Sequence, residues 1–184
     1  MSVIPFPETA VFIDGDWFHY TARRLNREID YVRLLESLHE HYGATTPVFF
    51  FGSFDPQNER QIKFLKVLGT LGYVVEVAEL KRKKDRVSIK GLDVALAVQA
   101  ALMPPEVKTI VLISGDSDFV PLLKLLRQHG KRTIVITLPA ASRALVKASD
   151  YHFISVERLL DNIESGKGLP GKRRTEDKVT PPKN

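Results

Sequence analysis

Two unbroken apolar runs constrain this chain most. Ala10-Val11-Phe12-Ile13 and Thr109-Ile110-Val111-Leu112-Ile113 offer no polar face to water, and a strand apolar on both sides must be covered on both, as in a parallel sheet held between helices. Both runs end in acids. Asp14-Gly15-Asp16 follows the first, and Ser114-Gly115-Asp116-Ser117-Asp118-Phe119 follows the second, so two buried strands are expected to deliver carboxylates to one site.

The rest of the chain fits that frame. Strands are predicted at 10–14, 47–52, 73–78, 109–114, 132–137 and 152–154. Helical spacing appears at 31–42, through Val32, Leu34, Leu35 and Leu38, and at 58–69, through Ile62, Leu65 and Leu68. Further helices are predicted from Leu92 to Leu102, stopped by Pro104-Pro105, at 119–129, stopped by Gly130, and at 142–148 and 156–163. Strands alternating with helices give an α/β class, a three-layer α/β/α arrangement around a mostly parallel sheet. In such sheets ligands bind outside the carboxyl ends of the strands, where Asp14 and Asp116 fall. Residues 1–164 read as a single domain. Residues 165–184 are nearly devoid of apolar side chains and read as a disordered basic tail.

Charge is unevenly spread. The net charge is +5, yet the tail carries six basic residues against two acids and Lys81–Lys90 six against one, which leaves a body of −4. A basic loop and tail at the rim of an acidic centre would attract phosphates, although both could simply be solvated charge runs. The chain has no cysteine, so disulfides, thiolate zinc sites and cysteine nucleophiles are excluded. No apolar run reaches the length of about 20 residues that spans a bilayer, and Met1-Ser2-Val3-Ile4-Pro5 lacks the regions of a signal peptide. The expectation is a cytoplasmic protein with no membrane partner. The sequence is compatible with a homodimer.

The chemistry should rest on Asp14, Asp93, Asp116 and Asp118. Asp93 falls in the first turn of the helix toward Leu102, where the macrodipole favours an anion; Asp118 could equally cap the helix that follows it. Converging carboxylates about 5 Å apart repel by roughly 3 kcal/mol per pair at an effective dielectric near 20. A divalent cation removes that cost, and all-oxygen ligation suits Mg²⁺ or Mn²⁺. His19, His39, His41, His129 and His152 form no spaced ligand pair, which argues against zinc. Acid-bound metal beside basic residues best fits in-line hydrolysis of a phosphodiester. Ser114 and Ser117 are placed to hydrogen-bond a ligand or the turn itself. Phe18 is expected to pack the first helix against the sheet; for Trp17, packing and a base-stacking surface both stay open.

Phe12-Ile13-Asp14-Gly15, then Lys90-Gly91-Leu92-Asp93-Val94-Ala95-Leu96-Ala97, then Ser114-Gly115-Asp116-Ser117-Asp118-Phe119 resemble, in order and spacing, three signature blocks of NYN domains of the LabA-like group. The resemblance covers roughly residues 8 to 158. It implies a PIN-like (Rossmannoid) fold and a metal-dependent ribonuclease activity on RNA, with Asp14, Asp93, Asp116 and Asp118 as catalytic, metal-binding acids. Lys90, with Lys81, Arg82, Lys83 and Lys84 nearby, would face the nucleic-acid backbone. Two positions depart from the family pattern: Trp17 replaces its usual asparagine, and Gln99 a frequent aspartate. Tryptophan offers only an N–H donor. Asp16, one residue from that asparagine position, could replace some of what is missing. The alternative is an RNA-binding or regulatory module with an impaired site. A further alternative is a haloacid-dehalogenase-like phosphatase, suggested by Asp14-Gly15-Asp16 and Gly115-Asp116-Ser117. Against it, Phe18 stands in place of the usual Thr or Val, and no acid follows three residues after Ser117.

Overall fold

The computed structural model describes residues 7–83, 86–88, 91–138 and 143–166, with backbone alone at 81–83, 86–88 and 151–153. The first half runs β1 (Thr9–Asp14), α1 (Gly15–Arg24), α2 (Tyr31–Tyr42), β2 (Val48–Phe54), α3 (Glu59–Leu71), β3 (Val74–Glu79), and a short hairpin of β4 (Lys81–Lys83) and β5 (Arg86–Ser88). The second half runs α4 (Leu92–Ala101), β6 (Thr109–Ile113), a 3₁₀ turn (Ser117–Phe119), α5 (Val120–Gln128), β7 (Arg132–Thr137), α6 (Arg143–Ala148), β8 (Tyr151–Ser155) and α7 (Val156–Ser165).

Six strands form one sheet in the order β3-β2-β1-β6-β7-β8, every pair parallel. Strand order runs outward one way from β1 and the other way from β6, so the seam between them is the point where the topology reverses. Ligand crevices open at such points. Register places Ile13 opposite Ile113 on one side and Asp14 opposite Phe51 on the other.

Alternation along β1 fills both faces. Val11 and Ile13 join Phe18 of α1, Leu34 and Leu38 of α2, Leu68 of α3 and Leu159 of α7 in one core. Ala10 and Phe12 point oppositely and meet Leu96 of α4, Leu123 of α5 and Leu145 of α6. The sheet thus lies between two helical layers, as its apolar runs require. Phe12 also stacks on Phe49 with ring centroids 4.8 Å apart.

Several boundaries differ from those predicted. The basic segment after β3 was expected to be only a loop, and its backbone pairs as the antiparallel β4–β5 hairpin. The helix expected from 119 is preceded by the 3₁₀ turn, because Asp116 caps that turn by accepting from the Asp118 N–H. α7 continues through Ser165 to Gly166, which takes a left-handed φ of 65°. Ser165 therefore belongs to a helix rather than to the tail, while 167–184 lies outside the described residues.

Candidate active site at the β1–β6 seam

Asp14 ends β1 and begins α1 in a single residue. Its Oδ1 accepts from the Trp17 N–H at 3.2 Å, which caps the helix. Its Oδ2 accepts from the Ser114 hydroxyl at 2.7 Å. Ser114 follows β6, donates its N–H to the Ile136 carbonyl and is wholly buried. Its Oγ accepts in turn from the Asp116 N–H at 3.1 Å, and Asp116 Oδ1 accepts from the Asp118 N–H at 2.9 Å. One chain of hydrogen bonds therefore fixes Asp14 against the loop that bears Asp116 and Asp118. Ser114, expected to hydrogen-bond a ligand or the turn itself, donates to Asp14 and accepts from the turn's Asp116 N–H. Its neighbour Ser117 is exposed in the 3₁₀ turn.

Asp93 lies in the first turn of α4, which starts from Gly91 in a left-handed conformation with no side-chain cap. Asp16 lies in the first turn of α1, where both carboxylate oxygens accept from the Ser53 N–H, at 3.0 and 3.2 Å. The Asp14 carboxyl, 8% exposed, is pushed up to about 6. Burial is the main cause, the bonds from Ser114 and Trp17 oppose it, and the charges of Asp93 and Asp16 add to it. Asp93 is also raised, first by desolvation and then by Asp116, Asp118 and Asp16. Five carboxylates thus share one field, and among the described residues no cation is paired with any of them.

That donor set is all oxygen and anionic, which fits a hard divalent cation in chemistry. Its placement is looser than the sequence led us to expect. Among the described residues no three Asp, Glu or His side chains gather closely enough to hold a metal ion. Asp14 and Asp116 are held by the hydrogen-bond chain, while Asp93 and Asp118 are exposed at the rim.

Trp17 lies across the site, half-buried, against Gly115. A Cβ at Gly115 would stand 2.5 Å from Trp17 Cε2 and Cζ2, so the ring and the glycine require one another. Phe18 is fully buried, as packing demands. Gln99 is half-buried on α4. Of the predicted phosphate-facing residues, Lys84 and Lys90 lie outside the described residues, as do the side chains of Lys81, Arg82 and Lys83.

A groove of about 890 Å³, which the sequence reading missed, adjoins Asp16. α1 and the start of α3 form its walls, and Phe50, Gly52 and Ser53 its floor. Gln61 locks the α3 wall to the sheet, donating to the Ser53 carbonyl at 2.8 Å and accepting from the Asp55 N–H at 2.9 Å. The available signal was the spacing Asp16, His19, Tyr20, Arg23, one polar face of a helix opposite buried Phe18 and Ala22.

A parallel sheet with acids at its topological seam defines the class, an α/β protein of PIN-like fold. The chain belongs to the NYN domain family, whose pattern matches residues 8–161. It is 30% identical over 169 residues to the Low amplitude and bright protein LabA of Synechococcus elongatus, covering 84% of this chain and 87% of that one. An uncharacterized protein of Methanocaldococcus jannaschii is 35% identical over 71 residues, 37% of this chain and 30% of its own. The crystal structure of a protein of unknown function from Vibrio parahaemolyticus superposes with a TM-score of 0.67 at 22% identity, over 87% of this chain and 99% of the other. Membership of the NYN family displaces the phosphatase alternative. No helix among the described residues is long and apolar enough to cross a membrane.

Proposed function

We propose that this chain is a divalent-metal-dependent endoribonuclease that hydrolyses RNA phosphodiesters at the β1–β6 seam, and that it works in the cytoplasm. The observation that carries this reading is the buried Asp14 carboxyl at the strand end, raised to about 6 mainly by burial and further by the charges of Asp93 and Asp16, with Asp116 and Asp118 acting in turn on Asp93. Such a cluster is costly unless a positive ion neutralises it. Asp14, Asp93, Asp116 and Asp118 would hold Mg²⁺ or Mn²⁺, with Asp16 able to assist. When bound, the ion supplies a water of lowered pKa and offsets charge developing on the phosphate.

The chain's own residues prepare that chemistry. Ser114 orients Asp14 through one oxygen while the Trp17 N–H holds the other. Exposed Asp93 and Asp118 have the rotamer freedom to turn toward an ion and to release product. In the reaction, the water oxygen bonds to phosphorus and the P–O ester bond breaks; one proton of the water ends on the departing oxygen as its hydroxyl, and the other passes to solvent as the new phosphate monoester ionises. Lys81, Arg82, Lys83, Lys84, Lys90 and the basic tail would draw RNA in by charge.

A second reading is favoured by one specific feature, the Trp17 ring lying over Gly115 where family members carry asparagine. On that reading the domain binds RNA and does not cut it. Incubating single-stranded RNA with the full chain and Mn²⁺, Mg²⁺ or EDTA decides between them. Metal-dependent cleavage lost in Asp116→Asn is the expected outcome. RNA that binds but stays whole under every metal, and is cut once Trp17→Asn is introduced, assigns the chain to the second reading.

A further inference from the structure

Asp16, His19, Tyr20, Arg23 and Arg24 follow one stripe of α1, from the acids at its first turn to guanidinium groups at its last. Seven residues at 1.5 Å each put Arg23 about 10 Å along the helix from Asp16. Across the groove stands Arg60, in the first turn of α3. The macrodipole explains basic residues at the end of α1, but it disfavours a cation where Arg60 sits. None of the three arginines is ion-paired among the described residues. Arg24 lies 5.8 Å from the ring centroid of Tyr20, and that ring is 61% exposed. Three guanidinium groups with no ion pair among the described residues, one of them over an exposed ring, therefore line a groove that opens beside the acidic seam.

We infer that this groove is the track for the single strand of RNA beyond the scissile phosphate. Arg23, Arg24 and Arg60 take successive phosphates, and Tyr20 stacks on an unpaired base. This inference rests on the ribonuclease reading for its direction, since Asp16 joins the groove to the carboxylates. The chemistry favours a single strand over a duplex, because stacking on Tyr20 needs a base whose face is free.

The test is equilibrium binding of a fluorescent 12-nucleotide single-stranded RNA to the full chain in EDTA, so that cleavage plays no part. The Arg23→Gln, Arg24→Gln, Arg60→Gln triple variant should bind at least about tenfold more weakly at 0.1 M salt, and its salt slope should flatten by about 2, given roughly 0.7 per phosphate contact on single strands. Tyr20→Ala should weaken binding about tenfold with the slope unchanged, as stacking predicts. Arg158→Gln, exposed on α7, should change neither. Unaltered melting of each variant keeps the comparison to binding. An unchanged affinity and slope in the triple variant overturns the track, whether or not the protein cuts RNA, and so does tighter binding of a duplex of equal length. Binding that depends on the three arginines without cleavage under any metal keeps the track and removes the nuclease.

Discussion

Asp14 has two roles at once: it caps α1 and it is the buried carboxylate of the seam. A carboxyl raised from 3.8 to about 6 binds its proton more tightly in the folded chain than in the unfolded one. Its contribution is therefore fully present below the unfolded value and is lost as pH rises through about 6. For metal-free protein, urea unfolding at pH 5 and pH 7.5 should differ by about 1.4 kcal/mol from this group, part of the roughly 3 kcal/mol that separates conditions well below 3.8 from those well above 6 at 1.36 kcal/mol per unit. Asp14→Asn should flatten that slope; a slope equal to the parent's would place the shift elsewhere. Gly115 is the other constrained residue. Gly115→Ala drives a methyl into the Trp17 ring and should cost about 1–3 kcal/mol by overpacking. Adding Trp17→Ala should relieve the clash, so the double variant's melting should show non-additive losses. The places of Asp14 and Asp116 at the strand ends were legible in the sequence, since both follow apolar runs. Ser114's partner was not, because the bond spans 100 positions and exists only once β1 and β6 are in register.

Elements repeat the same division between local and distant information. Strands and most helices were legible because burial on both faces leaves continuous apolar runs and helical burial leaves its own period. α1 was harder to place, since it starts on the residue that ends β1 and its polar stripe resembles a turn. The β4–β5 hairpin was read as a basic loop because charge dominates it. A latch between elements was also hidden. Asp150, just before β8, is ion-paired with Arg127 of α5 and accepts from the Thr133 hydroxyl of β7 at 3.1 Å. The Arg127 side chain is half exposed, so its ion pair should contribute little. Thr133 is fully buried and would be left without its acceptor. Asp150→Ala should therefore cost about 2 kcal/mol, within the range for an orphaned buried donor, and Arg127→Gln under about 1 kcal/mol as an exposed pair. Equal losses from the two in urea unfolding would contradict that assignment.

Across the molecule, a six-stranded sheet between two helical layers was foreseeable, and so was the placing of acids at the strand ends beside its seam. How closely they gather was not, because it depends on side-chain rotamers that no residue pattern encodes. A bound divalent ion would link those rotamers to global stability. Mn²⁺ at a hundredfold excess over its dissociation constant should stabilise the chain by about 2.7 kcal/mol at pH 7.5, and by less at pH 5, where Asp14 holds a proton. A melting temperature indifferent to Mn²⁺ at both pH values would argue for the non-cutting module.

β1 lies in the middle of the sheet with all six residues buried. Its amides should be among the last in the molecule to exchange with heavy water, released only by global unfolding. Asp14 therefore cannot be switched by opening the structure around it. On the proposed reading, control would act on what reaches the seam, through exposed Asp93, Asp118 and the groove beside α1, over a floor that stays fixed while the chain is folded.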